Sequence, residues 1–125
     1  MPLLIAIAVG GALGSLGRYG VAEAMIGLPV GPWPWPTLVV NVLGAFVIGL
    51  IASSARVKHG PSWLPAFLIT GVLGGFTTVS ALALQTGLLI DDGSALSGIL
   101  YFAATVLLGL VAVRVAVLLT SRRTA

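Results

Sequence analysis

The sequence lacks cysteine altogether, contains one histidine and carries few charged side chains. The absence of cysteine excludes disulfides and thiolate metal sites, and His59 lies in a polar connection, where a solvated side chain is more usual than a metal ligand. Only 7% of the residues are charged and 58% are hydrophobic, a balance typical of integral membrane proteins rather than soluble domains. The small positive net charge is too thinly spread to indicate nucleic-acid binding.

Long apolar runs indicate how the chain is organised. At about 20 apolar residues per span, the sequence predicts a single transmembrane domain, residues 1–125, with helices at about 3–21, 37–52, 63–89 and 95–119. The first run has no basic residues ahead of it and is followed by further spans, so we expect a retained helix rather than a cleaved signal. Four such helices bury little between them, and a pore or cavity therefore requires a second copy or a partner.

The third span contains a polar interruption where the membrane is most apolar. It reads TGVLGGFTTVSALALQ over residues 70–85, with Gly74 and Gly75 beside Thr77 and Thr78. In hydrocarbon an unpaired backbone group costs several kcal/mol, so a broken helix persists only where protein or a water-filled cavity covers it. Transport proteins build ion and substrate sites at such breaks. A kink without a bound ion is the alternative interpretation.

Four further polar positions lie within or at the ends of the predicted helices. Asn41 is the strongly polar side chain of the second span, and it either forms an interhelical hydrogen bond or offers amide donors to an anion. Arg18 ends the first span, and it either points into a pore vestibule or snorkels to the interface. In the fourth span Tyr101 and Thr105 share one helical face, which is either a packing seam or a polar lining.

Three segments together resemble the Fluc family of small fluoride channels, also called CrcB. They are GGALGSLGRY at residues 10–19, PTLVVNVLGAFVIG at 36–49 and GVLGGFTTVS at 71–80. The resemblance implies an all-α integral membrane fold with four transmembrane helices per subunit, the third broken at mid-membrane, and two subunits packed as an antiparallel dimer. It also implies a multi-pass protein of the bacterial cell (inner) membrane that exports cytoplasmic fluoride passively and confers fluoride resistance.

The resemblance further implies which residues form the sites. A structural Na⁺ at the dimer interface would be held by the backbone carbonyls of Gly74 and Thr77, a donor type that hard cations accept. Arg18 would lie in the vestibule. The pore-lining positions carried over to this chain are Asn41, Thr78, Val79, Ser80, Leu82, Gln85, Tyr101 and Thr105.

The chain departs from the family pattern in two ways. After the two threonines the family has F-S-T-F, whose ring edges are electropositive and can face a dehydrated anion. Here Val79 and Leu82 replace both phenylalanines, and Gln85 stands where the family usually has a glutamate. Unless another subunit supplies rings, anion selectivity would rest on Asn41, hydroxyl groups and backbone amides.

The basic residues are distributed unevenly between the two sides of the predicted membrane domain. With a cytoplasmic amino terminus, Arg56, Lys58, Arg122 and Arg123 lie inside, Arg114 can snorkel there, and Arg18 lies towards the outside. Such a bias favours insertion in one orientation, whereas an antiparallel homodimer requires both. We therefore hypothesise an obligate heterodimer, in which a related subunit of opposite topology brings the aromatic pore residues.

Two other functions are compatible with a short four-span chain. One is a non-conducting structural subunit of a heterodimeric fluoride channel, which the missing phenylalanines favour. The other is a small proton-coupled multidrug-type exporter, which needs an ionisable carboxylate inside the membrane, and Glu23 near a span end suits that role poorly. An enzyme is not expected, because the sequence offers no embedded acid-base pair, activated nucleophile or phosphate-binding loop.

Overall fold

A computed structural model describes residues 2–28 and 31–123, and within these ranges the chain is helical, without strands. Its helices are α1 (Leu3–Ala24), α2 (Trp35–Ser53), α3 (Ala55–His59), α4 (Trp63–Pro65), a π-helix (Ala66–Leu73), α5 (Gly74–Phe76), α6 (Val79–Asp91) and α7 (Ala95–Arg123). Four stretches are long and apolar enough to cross a membrane, namely Leu3–Ala24, Trp35–Ala52, Trp63–Asp91 and Ala95–Arg123. The predicted all-α, four-span membrane fold is thus confirmed.

Each membrane-length helix extends a few residues beyond its predicted apolar run. α1 continues to Ala24, beyond its predicted end at about residue 21, and the connection to α2 turns at Gly27, where φ is +81°, a conformation that glycine adopts readily. Residues 29 and 30 of that connection lie outside the described ranges. The polar connection that contains His59 includes the short helix α3, whose first turn is capped by a hydrogen bond from the Val57 amide to the Ser54 hydroxyl oxygen (3.4 Å).

Glycines bring α1 into backbone contact with the first half of the third span, residues 63–76. A Cβ placed on Gly10 would lie 2.9 Å from the Val72 nitrogen and 3.0 Å from the Gly71 Cα. A Cβ on Gly14 would overlap the Val72 carbonyl oxygen. Small residues at this spacing let two helix backbones approach closely in lipid, where packing replaces the hydrophobic effect.

The second half of the third span, α6, packs instead on α7. Gly98 of α7 lies against the Thr86 carbonyl and the Ile90 side chain, since a Cβ there would meet them at 3.0 and 2.9 Å. α7 also runs beside α2, with Gly49 against Ala116. The interruption in the third span therefore marks the point where the chain leaves α1 and joins the α2–α7 pair.

The charged residues divide between the two ends of the helical bundle. Successive membrane-length helices alternate in direction, as shown by the end of α1 meeting the start of α2 around Arg18 and Thr37 and by Gly98 meeting Ile90 across α6 and α7. All the acidic residues, Glu23, Asp91 and Asp92, are exposed at one end, and the other end carries Arg56, Lys58, Arg122 and Arg123. The uneven distribution of charge that the sequence predicts is thus also present between the two ends of the folded bundle.

Candidate functional site

The helix of the third span stops at Phe76 and resumes at Val79. Between them Thr77 (φ −80°, ψ 158°) and Thr78 (φ −152°, ψ 119°) are extended, and these two residues form the break in the span. The predicted interruption is therefore present, but it lies just after the glycine pair, because Gly74 and Gly75 keep helical geometry.

The Asn41 side chain of α2 binds both backbone polar groups of Thr78. Its Nδ2 donates to the Thr78 carbonyl oxygen at 2.9 Å, and its Oδ1 accepts from the Thr78 amide at 2.7 Å. The two contacts also fix which way the amide points, since an N–H must donate and a carbonyl must accept. A single side chain thus provides hydrogen-bond partners for both the amide and the carbonyl of Thr78, which lack helical partners.

The same rearrangement removes the helical donors of the last carbonyl groups before α6. In a continuous helix the Thr78 amide would donate to Gly74 and the Ala81 amide to Thr77. Here the Thr78 amide donates to Asn41, and the Ala81 amide donates to the Thr78 hydroxyl at 3.1 Å. The carbonyls of Gly74 and Thr77, predicted as cation ligands, are among those released.

A groove of about 330 Å³ lies between α2, the break and α7. It brings together four of the residues predicted to line a pore, namely Asn41, Val79, Leu82 and Thr105. The remaining lining residues are aliphatic or small apart from Thr77, and none is aromatic. The groove is therefore a largely apolar surface with a few polar groups at the break.

The two positions at which this chain lacks the family's phenylalanine differ in exposure. Val79 is 78% exposed, so its side chain faces away from this chain's own packing. Leu82 is 5% exposed and packs in a core with Leu38 and Tyr101. A second protein surface can therefore cover Val79 directly, whereas Leu82 is already enclosed by its own subunit.

A second cavity of about 370 Å³ lies on the other side of α2, against α1. Arg18 and Thr78 line it together, along with Ser15 and Thr37. Neither Ser15 nor Thr37 was singled out in the sequence, although Ser15 lies three residues before Arg18 and Thr37 four before Asn41, spacings that share a helical face. This cavity therefore extends from Arg18 to Thr78 at the break.

The predicted lining residues Tyr101 and Gln85 bind each other inside the subunit. Tyr101 is fully buried, and its hydroxyl lies 3.1 Å from Gln85 Oε1 and 3.3 Å from the Pro34 carbonyl oxygen. The Trp33 ring packs edge-on against Tyr101 with 5.6 Å between centroids, and its Nε1 donates to Ser97. This aromatic cluster, defined by Trp33, Trp35 and Tyr101, joins the start of α2 to α6 and α7.

The hydroxyl groups near the break have distinct partners. Ser80 is exposed, and its Oγ lies 3.1 Å from Thr78 Oγ1, with either atom able to donate. Thr105 donates to the Tyr101 carbonyl at 2.9 Å, and the Thr77 hydroxyl donates to the Leu73 carbonyl at 2.9 Å. Thr77 and Thr105 thus use their hydroxyl hydrogens on the carbonyls four residues earlier in the chain.

Comparison with known proteins identifies the family. A sequence profile described as "CrcB-like protein, Camphor Resistance (CrcB)" matches residues 5–117. Proteins named "Fluoride-specific ion channel FluC" from Rhizobium meliloti and Rhizobium etli are 44% and 47% identical over 111 and 108 residues, covering 88% and 86% of this chain and 89% and 86% of theirs. One of the same name from Thermus thermophilus is 41% identical over 110 residues, or 88% of each chain. The chain belongs to the CrcB family and is a multi-pass membrane protein of bacteria.

Proposed function

We propose that this chain is a subunit of a fluoride-selective channel in the cell membrane, which lets cytoplasmic fluoride leave passively and so confers fluoride resistance. The observation that carries the proposal is the groove in which Asn41, Val79, Leu82 and Thr105 meet at the break, in a chain more than 40% identical to proteins named as fluoride channels. A channel needs no energy source, because fluoride enters cells as the neutral acid and is trapped as the anion at higher internal pH.

Counting hydrogen-bond donors narrows the groups that can meet the anion. Asn41 uses one of its two amide hydrogens on Thr78, and among the described residues nothing accepts the other. The Thr78–Ser80 pair shares one hydroxyl hydrogen and leaves one to turn outward. We therefore assign fluoride contact to Asn41 and to Ser80 or Thr78, with Arg18 raising the local anion concentration in the vestibule.

The released carbonyls fit a hard cation such as Na⁺, which takes oxygen ligands. Gly74 is exposed on the subunit surface, and a Cβ there would meet only the Ile69 carbonyl, at 3.7 Å. Packing within this subunit therefore does not explain why glycine is present. Two carbonyls are too few for a complete coordination shell, so we propose that a second subunit supplies the others across the interface.

The second subunit is proposed to be a related chain of opposite topology. Arg56, Lys58, Arg122 and Arg123 lie at one end of this bundle and Arg18 towards the other, a bias of basic residues that favours insertion in one orientation. An antiparallel neighbour then has to be a different polypeptide, and in that arrangement it can bring aromatic edges over the exposed Val79. If the second subunit proves to be another copy of this chain, inserted in the opposite orientation, this part of the proposal is wrong.

Orientation can be measured directly because the chain contains no cysteine. Single cysteines introduced at Lys58 and at Asp92 should react with an impermeant thiol reagent from opposite sides of the membrane, each from one side only. Equal labelling of each site from both sides would show dual insertion and contradict the heterodimer.

Fluoride efflux from liposomes tests the channel itself. A fluoride electrode should record rapid release from vesicles that contain this chain with a CrcB-family partner of opposite orientation, and no comparable release of chloride. The chain alone should release fluoride slowly. Rapid selective release by the chain alone would support a homodimer, whereas no release from any well-folded pair would overturn the channel function.

A non-conducting structural subunit is the second candidate, and the groove provides the observation that favours it. Among the residues lining the groove none has an aromatic edge to face an anion. In that case the partner would conduct through its own groove, and substitutions lining the groove of this chain would leave efflux unchanged. A proton-coupled exporter has less support, because Glu23, Asp91 and Asp92 are all exposed at one end of the bundle.

A further inference from the structure

The double hydrogen bond from Asn41 has a consequence beyond contact with an anion. An extended residue inside a membrane helix leaves an amide and a carbonyl without partners, at a cost of several kcal/mol for each group in hydrocarbon. Asn41 supplies one donor and one acceptor at 2.9 and 2.7 Å, so both costs are met by one side chain. Few side chains can do this, because the donor and the acceptor must lie side by side on a planar group.

We propose that Asn41 is the positioning residue of the cation site: it holds the break open and thereby presents the carbonyls of Gly74 and Thr77. The link is direct, since the Thr78 amide that Asn41 engages is the helical donor for Gly74. Holding Thr78 extended also places its hydroxyl to cap α6 at the Ala81 amide, which releases the Thr77 carbonyl. One side chain on α2 thus determines the state of both carbonyls on the third span.

The inference rests on the proposed Na⁺ site and changes how Asn41 variants are interpreted. If Asn41 only lined the pore, removing its side chain would reduce conduction and leave cation binding intact. If it holds the break, the same substitution also leaves the Thr78 amide and carbonyl without partners, so the break loses its geometry and cation binding is lost together with conduction. A loss of fluoride efflux in an Asn41 variant is therefore not sufficient to assign a pore contact.

The test uses the purified chain, in the dimer prepared for the efflux measurement, and does not depend on transport. The variants are Asn41→Ala and Asn41→Leu, the second of which keeps the side-chain volume. The matched control is Ser97→Ala, which removes another hydrogen bond between the start of α2 and α7, that from Trp33 Nε1 (2.8 Å). Thermal unfolding is recorded in NaCl and in choline chloride, and amide hydrogen exchange is followed by mass spectrometry on peptides that cover residues 77–82.

We expect Na⁺ to raise the unfolding temperature of the wild type and of Ser97→Ala, and to have no effect on either Asn41 variant. Exchange in residues 77–82 should accelerate roughly tenfold or more in the Asn41 variants alone. A preserved Na⁺ shift in a folded Asn41 variant would overturn the proposal, as would loss of the folded dimer in both variants, which would make Asn41 a general folding requirement. If the wild type shows no Na⁺ shift, the cation site itself fails, and the exchange data still decide whether Asn41 holds the break.

Discussion

The two halves of the third span are held in place by different physical means. Residues 63–76 lie against α1 through glycines, with backbone on backbone and no room for a Cβ at Gly10 or Gly14. Residues 79–91 also meet α7 at one glycine, Gly98, but side chains provide most of their contacts, including the Leu82 core contact and the bond between Gln85 and Tyr101. The break separates a segment fixed by close packing from one fixed by replaceable polar and apolar contacts.

The difference indicates where this fold can vary and where it cannot. Backbone contact in lipid has no substitute, since any added atom pushes the helices apart. Side-chain contacts can be exchanged one for another, and this chain has done so at Val79, Leu82 and Gln85. These departures from the family pattern all lie in the half of the span that follows the break.

The largest expected effect is a loss of stability where α1 packs against residues 63–76. Gly14→Ala should destabilise the folded subunit by about 2–3 kcal/mol or more, because the new methyl group overlaps the Val72 carbonyl oxygen and lies 2.9 Å from the Phe76 nitrogen. Gly20→Ala is the control, since no atom lies within 4 Å of its Cβ position. Unfolding in detergent by heat or denaturant measures the difference, and equal stability of the two variants would contradict the close-packed seam.

Restoring the family phenylalanines one at a time compares an enclosed position with an open one. Leu82→Phe should lower the free energy of unfolding by about 1–3 kcal/mol, because a larger ring has to enter a core that is already filled. Val79→Phe should change stability by less than about 0.5 kcal/mol, because its side chain is 78% exposed. Thermal unfolding of the two variants decides this, and a larger loss at Val79 than at Leu82 would reverse the assignment of their environments.

A smaller effect is expected in the half held by side chains. Tyr101→Phe keeps the packing against Trp33 and removes only the hydroxyl, whose partners are Gln85 Oε1 at 3.1 Å and the Pro34 carbonyl at 3.3 Å. The free energy of unfolding should fall by about 1 kcal/mol. A double-mutant cycle with Gln85→Leu measures the coupling between the two side chains, and additive effects would show that their hydrogen bond contributes nothing.

Much of this architecture follows from the sequence, because hydropathy and span length determine the membrane helices. The glycine-threonine pattern also locates the interruption, since few other residues tolerate one in lipid. Its detailed position could not be predicted: glycines permit a break, but Thr77 and Thr78 form it because Asn41, 37 residues away in the chain, provides the partners for Thr78. Pairing across that separation depends on how the helices pack.

The candidate site was predictable to a lesser degree. The resemblance identified Asn41, Val79, Leu82 and Thr105 as one group, and the groove places them together. It gave no indication that Tyr101 is fully buried behind Trp33, because a helical face that lines a cavity and one that packs a core have the same periodicity. The partners of each hydroxyl likewise depend on rotamers that spacing does not determine.

The central claim, that fluoride passes along the groove, can be tested by filling the groove. Gly109 lines it, and a Cβ at that position meets only the Ala45 methyl, at 3.8 Å, so Gly109→Leu adds bulk to the groove while the backbone contacts are kept. Fluoride efflux from liposomes should fall to the background leak in channels assembled with Gly109→Leu and remain at the wild-type rate with Gly20→Leu. Unchanged, fluoride-selective efflux through folded Gly109→Leu channels would contradict the proposal that this chain conducts.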